Sequence, residues 1–235
     1  MKRLNLLPLF FGALLVTVSV HGAETVVGFL APGTIDAKAV LPPPPAPGSL
    51  AARADLETVL QLQASRTPAE VAWARSIVKD QPFYFVNVLG PWFTKENLPV
   101  TAAFLKSVTG DLAAVSNGAK DQFARTRPPY VDAAVHPCVE IPTSASYPSG
   151  HTMRAFVWAA VLGEIFPDRQ AELNTWAHQV AWGRVMGGVH FPTDLMGGRI
   201  LAEAVVEALR KNPAYRADIE KCRAEVAPFL LKKAA

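Results

Sequence analysis

The sequence predicts an all-α protein, a single-domain helical bundle with an extended Pro-rich N-terminal arm. Three observations carry this. Apolar residues recur at helical spacing through most of the chain from Ser49 onward. Strand-type alternation is scarce. Helix-start signals, in which a capping residue precedes a Pro or an acid, stand at the heads of several of these stretches. The 235 residues are half apolar and 18% charged, enough for one domain whose core can bury a polar site. No repeat of about 20 to 50 residues divides it.

In chain order, Met1 to Ala23 begins with Lys2 and Arg3, runs through the apolar Leu6 to Val16 and ends in small residues at Gly22 and Ala23. This pattern predicts a secretory signal peptide over residues 1–23, cleaved near its end, and hence a periplasmic or secreted protein. Its apolar run is short for a membrane span and no stop-transfer pattern follows. Residues 24–48 end in Leu41-Pro42-Pro43-Pro44-Pro45-Ala46-Pro47-Gly48, where each Pro lacks an N–H and fixes φ, so an extended arm is expected there. Phe29, Leu30, Val40 and Leu41 are too apolar for a solvated tether, so the arm should lie on the domain.

The bundle proper is expected over 49–235. Leu50 to Ala64 places Ala52, Leu56, Val59, Leu60 and Ala64 on one stripe, and Thr67-Pro68-Ala69-Glu70 announces a second helix. Asn97 to Val115, Thr152 to Phe166 and Asp194 to Leu209 follow the same pattern. Asp168 is expected to cap a helix running to about Gly183, and Asn212-Pro213 to open the last one.

Charge and cysteine content narrow the function. Of 23 basic and 20 acidic residues, Lys2 and Arg3 leave with the signal peptide, so 21 basic residues remain and the mature chain is nearly neutral. Nothing resembles the basic stripe that nucleic-acid binding demands. Anion chemistry must come from a few placed cations. Cys138 and Cys222 could pair in an oxidising compartment, although sequence separation does not fix the Cα distance, so free thiols are the plain alternative. His136-Pro137-Cys138 lacks the second spaced pair a zinc site needs, and no metal is expected.

Three short constellations carry chemistry. In Lys120-Asp121-Gln122-Phe123-Ala124-Arg125-Thr126-Arg127-Pro128, Lys120 and Arg127 fall two helical turns apart on one face, with Pro128 ending the helix. Tyr147-Pro148-Ser149-Gly150-His151-Thr152 precedes an apolar helical run, where free N–H groups and a positive dipole end can cradle a phosphate. In Gly183-Arg184-Val185-Met186-Gly187-Gly188-Val189-His190-Phe191-Pro192-Thr193-Asp194, the carboxylate four residues after His190 can hold one ring N–H, leaving the other nitrogen bare as a nucleophile. Taken singly, each has a plain structural reading: a solvated face, a Ser cap with a Gly turn, a packed histidine beside a capping Asp. Phe123, Tyr130 and Tyr147 could line a pocket or pack the core.

Together these pieces resemble the type 2 phosphatidic acid phosphatase superfamily, which includes vanadium haloperoxidases and bacterial class A acid phosphatases. Lys120, Arg127-Pro128, Pro148-Ser149-Gly150-His151, Arg184, His190 and Asp194 fall on its pattern in order, and Leu41 to Pro45 and Ser146-Tyr147 are similar to the secreted class A branch. Gly183 stands where the family carries a Ser, removing one hydroxyl expected near the phosphate.

The resemblance implies a broad-specificity acid phosphatase. Lys120, Arg127 and Arg184 would grip the phosphoryl oxygens with Ser149 and the Gly150 amide. His190 would attack, oriented by Asp194, and His151 would act as general acid before water hydrolyses a phosphohistidine. Small phosphomonoesters would be the substrates and inorganic phosphate or vanadate the inhibitors, with no cofactor, nucleic acid or, after signal cleavage, membrane involved. Homo-oligomerisation is left open. Three cations about 5 to 6 Å apart repel by roughly 3 kcal/mol per pair at an effective dielectric near 20, so such a cluster needs an anion, and no metal is then required to neutralise it. A neutral His190 and a protonated His151 imply an acidic optimum. A vanadium haloperoxidase, for which the chain looks short, a membrane lipid phosphatase and a phosphate-binding module without turnover are the competing readings.

Overall fold

The structure is a computed structural model describing residues 28–231; the expected signal peptide and the first residues of the arm lie outside the described residues. Among the described residues there are helices, turns and loops and no strand. The helices are α1 (Ala37–Val40), α2 (Leu50–Ser65), α3 (Pro68–Ser76), α4 (Val86–Leu89), α5 (Pro99–Phe123), α6 (Pro128–Val131), α7 (Gly150–Ile165), α8 (Gln170–Met186), α9 (Pro192–Lys211) and α10 (Pro213–Leu231).

Helix α7 is the axis of the bundle, with α8 and α9 packed along it and α5 and α10 beside it. Its apolar residues were expected along a single stripe, yet Met153, Ala155, Val157, Trp158, Ala159, Val161 and Leu162 are all buried, because neighbours cover nearly every face. Trp158 is fully enclosed and its indole N–H donates to Thr109 Oγ1 at 3.2 Å. Truncating a side chain of that size costs about 3 to 5 kcal/mol. The close approach of α9 depends on Gly197 and Gly198. A Cβ at 197 would stand 2.5 Å from the Tyr147 ring, and one at 198 would stand 2.6 Å from the Ser149 carbonyl oxygen.

Several starts match their sequence signals. Thr67 and Glu70 form a reciprocal capping box on α3, Ser149 caps α7 by accepting from the Thr152 N–H, and Asn212 Oδ1 accepts from the Ala214 N–H at the head of α10. Two expectations need correction. Asp168 caps nothing: it lies in a short 3-10 turn, Pro167–Arg169, and α8 starts at Gln170 without a side-chain cap. Lys120 and Arg127 do not share a helix face. Helix α5 runs past Val115 to Phe123, since Ser116, Ala119 and Lys120 remain buried, and then ends at Ala124 in the left-handed region (φ 46°). Arg127 arrives on extended backbone (φ −78°, ψ 155°) as the residue before α6.

The arm is extended only in part. Asp36 caps the single turn of α1, and the Phe29 N–H donates to Asp111 Oδ2 on α5 at 2.7 Å. The Tyr147 hydroxyl, beside the cradle, donates to the Pro42 carbonyl at 2.7 Å. Cys138 and Cys222 are both free thiols, Cys222 within the core.

Candidate active site

The C-terminal ends of α5 and α8 meet the N-terminal ends of α7 and α9, and there the structure gathers all the expected residues. Lys120, Arg127, Arg184, Ser149, His190 and Asp194 are buried at this junction, and Gly150 and His151 open α7. Two helix N-termini thus add their positive dipole ends to three buried cations.

Asp194 organises the junction. Its Oδ2 accepts from Ser146 Oγ at 2.5 Å, the Phe191 N–H at 2.9 Å and His190 Nδ1 at 3.2 Å, while Oδ1 accepts from Arg125 Nη1 at 2.6 Å. Its backbone carbonyl takes the Ser149 N–H at 2.9 Å, tying the cradle to α9. Burial alone would raise its pKa, but the His190 hydrogen bond and the charges of His190 and Arg125 overcome this and hold it down at about 2.

With Nδ1–H committed to a carboxylate, His190 presents an unprotonated Nε2, 3.2 Å from Arg127 Nη1. Burial pushes the imidazole well below its ordinary pKa against the pull of Asp194, and Arg127 and Lys120 add to the depression. A neutral ring with one fixed tautomer, its Nε2 lone pair facing Arg127, is equipped to attack an electrophile once that guanidinium turns away.

The cations crowd one another. Lys120 Nζ and Arg127 Nη2 donate to the same Ala145 carbonyl, the latter at 3.1 Å, and Arg127 also donates to the Ser144 and Val189 carbonyls. Burial, then Arg127, pushes Lys120 down to about 7, and burial, then Arg127, pushes Arg184 down to about 10. Arg184 is 1% exposed, yet its Nε and Nη1 have no hydrogen-bond partner among the described residues. A buried guanidinium with unpaired donors is costly unless an anion completes it. Ser149 Oγ accepts from Thr152 N and Thr152 Oγ1 at 3.3 and 2.9 Å, leaving its own proton to donate.

His151 lies in a field set by burial and by the neighbouring cations. Burial first, then Arg184, pushes it down to about 3, so it is neutral until an anion offsets that field. Its Nε2–H donates to the Val78 carbonyl at 3.0 Å, leaving Nδ1 for chemistry. Gly183 is also corrected: a Cβ there would stand 2.4 Å from Ile77 Cδ1 and 3.3 Å from Trp73 Nε1. A side chain on this backbone would start out toward Trp73 of α3 and Ile77 just after it, so the glycine answers to the packing of that segment on α8.

A supporting layer has no counterpart in the sequence reading. Arg125 links Asp194 to Asp55 of α2 (2.7 Å) and to Thr193 (2.7 Å), with its guanidinium 4.2 Å over the Phe191 ring. Asp80 and Arg154 form an ion pair beside His151. The signals were present: Asp55 lies on the apolar stripe of α2, between Ala52 and Val59, and Arg154 interrupts an otherwise apolar helix.

A helical fold with a carboxylate-held imidazole facing three buried cations defines a phosphate-handling protein. The chain belongs to the PAP2 superfamily, whose sequence pattern matches residues 100–217 and so spans Lys120 to Asp194. It is 29% identical to a non-specific acid phosphatase of Providencia stuartii, covering 82% of each chain. It is also 29% identical to one from Salmonella typhimurium, over 90% of this chain and 89% of the relative. The fold is similar to that of a transmembrane PAP2-type phosphatidylglycerolphosphate phosphatase from Bacillus subtilis (TM-score 0.50, 23% identity, 79% of this chain and 90% of that one). Among the described residues no helix is long and apolar enough to cross a membrane.

Proposed function

We propose that this PAP2 protein is a periplasmic or secreted acid phosphatase that hydrolyses phosphate monoesters of varied structure through a phosphohistidine. The observation that carries the reading is the buried Arg184, with two unpartnered donors, grouped with Lys120 and Arg127 around the unprotonated Nε2 of His190. That arrangement suits a tetrahedral oxyanion whose charge spreads over its equatorial oxygens in the transition state.

In the proposed cycle the phosphoryl group takes up the free donors of Arg184, Lys120 and Ser149 and the first amides of α7. Arg127 Nη1 turns from His190 toward a phosphoryl oxygen, releasing the Nε2 lone pair. Nε2 attacks phosphorus, the P–O ester bond breaks, and His151 transfers its proton to the departing oxygen. Asp194 keeps its charge and stabilises the imidazolium. Water then attacks the phosphohistidine, giving a proton to His151; the P–N bond breaks and inorganic phosphate leaves. Apart from His151, which meets only the bridging ester oxygen, these groups act on the phosphoryl unit and leave the rest of the alcohol unread, which supports broad specificity.

The acid preference follows from the same fields. Lys120, held at about 7, must take up a proton to bind an anion above that pH, which costs about 1.4 kcal/mol per pH unit. His190, held well below its ordinary value, stays neutral into the acid range. The test is hydrolysis of p-nitrophenyl phosphate across pH, with phosphate and vanadate as inhibitors. An acid-side bell abolished by His190→Ala is expected; a variant that retains the full rate overturns the reading.

A further inference from the structure

We propose that Asp80 is a positioning residue that, through its shared contact with His151 and Arg154, sets both the proton held by the general acid and the pull of the site on anions. The proposal rests on the reading of His151 as that acid.

Asp80 Oδ2 lies 3.8 Å from His151 Nε2 and also accepts from Arg154 Nε. The contact is built from two places. Val78, two residues before Asp80 on the segment leaving α3, fixes the His151 ring through its carbonyl. Arg154 lies one helical turn beyond His151 on α7. All three side chains are between 15 and 19% exposed, so their charges are only partly screened. Arg154 also overlooks the cradle, since its Nη1 is 3.2 Å and its Nη2 3.6 Å from where a Cβ on Gly150 would sit.

The charged groups facing His151 are therefore Arg184 from α8, Arg154 from its own helix and Asp80 from the segment after α3; the two cations oppose protonation and the carboxylate favours it. Because one carboxylate serves both neighbours, it does two things. It draws a proton onto His151, and it quenches a fourth cation that would otherwise repel that proton and attract phosphate. Removing it should leave His151 protonated over a narrower, more acidic pH range and tighten the anion site together. Removing Arg154 should do the reverse. A residue that merely holds the fold would produce neither opposition.

The experiment compares wild type with Asp80→Asn, Asp80→Glu and Arg154→Gln in steady-state hydrolysis of p-nitrophenyl phosphate across pH, with inorganic phosphate as inhibitor and thermal melting as a folding control. For Asp80→Asn the alkaline limb of kcat should move down by about one pH unit, while KM and the phosphate inhibition constant fall by about fivefold. Arg154→Gln should move that limb upward and raise both constants, and Asp80→Glu should restore the wild-type profile. Limbs that move together in the two variants, or stay in place while rates fall uniformly, overturn the proposal alone. Wild-type hydrolysis indifferent to His151→Ala removes the general-acid reading and the proposal with it.

Discussion

Replacing Asp194 by Asn separates orientation from packing at the centre of the site. The carboxylate serves three donors on Oδ2 and Arg125 on Oδ1. An amide has one acceptor oxygen and one NH2, so whichever way it turns, a donor faces a donor. If the oxygen stays with Ser146, Phe191 and His190, the NH2 meets the Arg125 guanidinium, which keeps Asp55 and Thr193 as partners. Loss of one charge-assisted bond costs about 2 to 3 kcal/mol. In a chain of this size that lowers Tm by roughly 5 to 10 °C. Activity should fall much further. Without a charged acceptor on Nδ1 the ring is no longer held in the productive tautomer, and losses in comparable triads are on the order of 10³- to 10⁴-fold in kcat. The assay is steady-state hydrolysis of p-nitrophenyl phosphate alongside a thermal melt. A variant whose Tm drops as stated but whose kcat stays within about threefold refutes the assignment of Asp194 as the group that prepares His190.

Other perturbations test other parts of the account. Arg184→Gln removes a buried cation whose donors are unpaired, so the unliganded protein should melt no lower than wild type while phosphate affinity falls by about a hundredfold; equal phosphate affinity would show that Arg184 does not face the anion. His151 and Lys120 are both held below their ordinary values, so unfolding takes up protons below about pH 6.5 for the first and between about pH 7 and 10.5 for the second, and stability contributed by each is lost as pH falls through those ranges. Phosphate reverses these fields, so its stabilising effect in a melt should be larger at about pH 5 than at about pH 9; the opposite order would contradict the charge assignment. Gly198→Ala drives a methyl against the Ser149 carbonyl and should destabilise by about 1 to 3 kcal/mol in a denaturant titration; an unchanged midpoint would mean α9 does not approach the cradle that closely.

Much of this was legible in the sequence because the informative residues lie on short, locally ordered stretches. The Thr67 capping box, the Ser149 cap and the Asn212 cap are decided by neighbours a few residues away, and so is the pairing of His190 with Asp194 across the first turn of α9. Long-range packing was not legible. Nothing local says that α7 is covered on nearly every face, or that Arg125 is caught between two acids from α2 and α9. The Lys120 and Arg127 pair was expected on one helix because seven residues make two helical turns and Pro128 supplied the stop signal. The turn at Ala124 instead brings Arg127 in on extended backbone, where its guanidinium can reach the Ser144, Ala145 and Val189 carbonyls together. Likewise the expected effect of Gly183 on the phosphate shell assumed a side chain pointing at the cations, whereas the helix rotation aims that position at Ile77 and Trp73.

The most direct test is covalent. Rapid mixing of the protein with a phosphomonoester, quenching into denaturant at alkaline pH and mapping of the modified peptide should find phosphate on the His190 imidazole, appearing and decaying at the rates of turnover. A bond to any other side chain, or full turnover with no phosphorylated protein at any time, would contradict it.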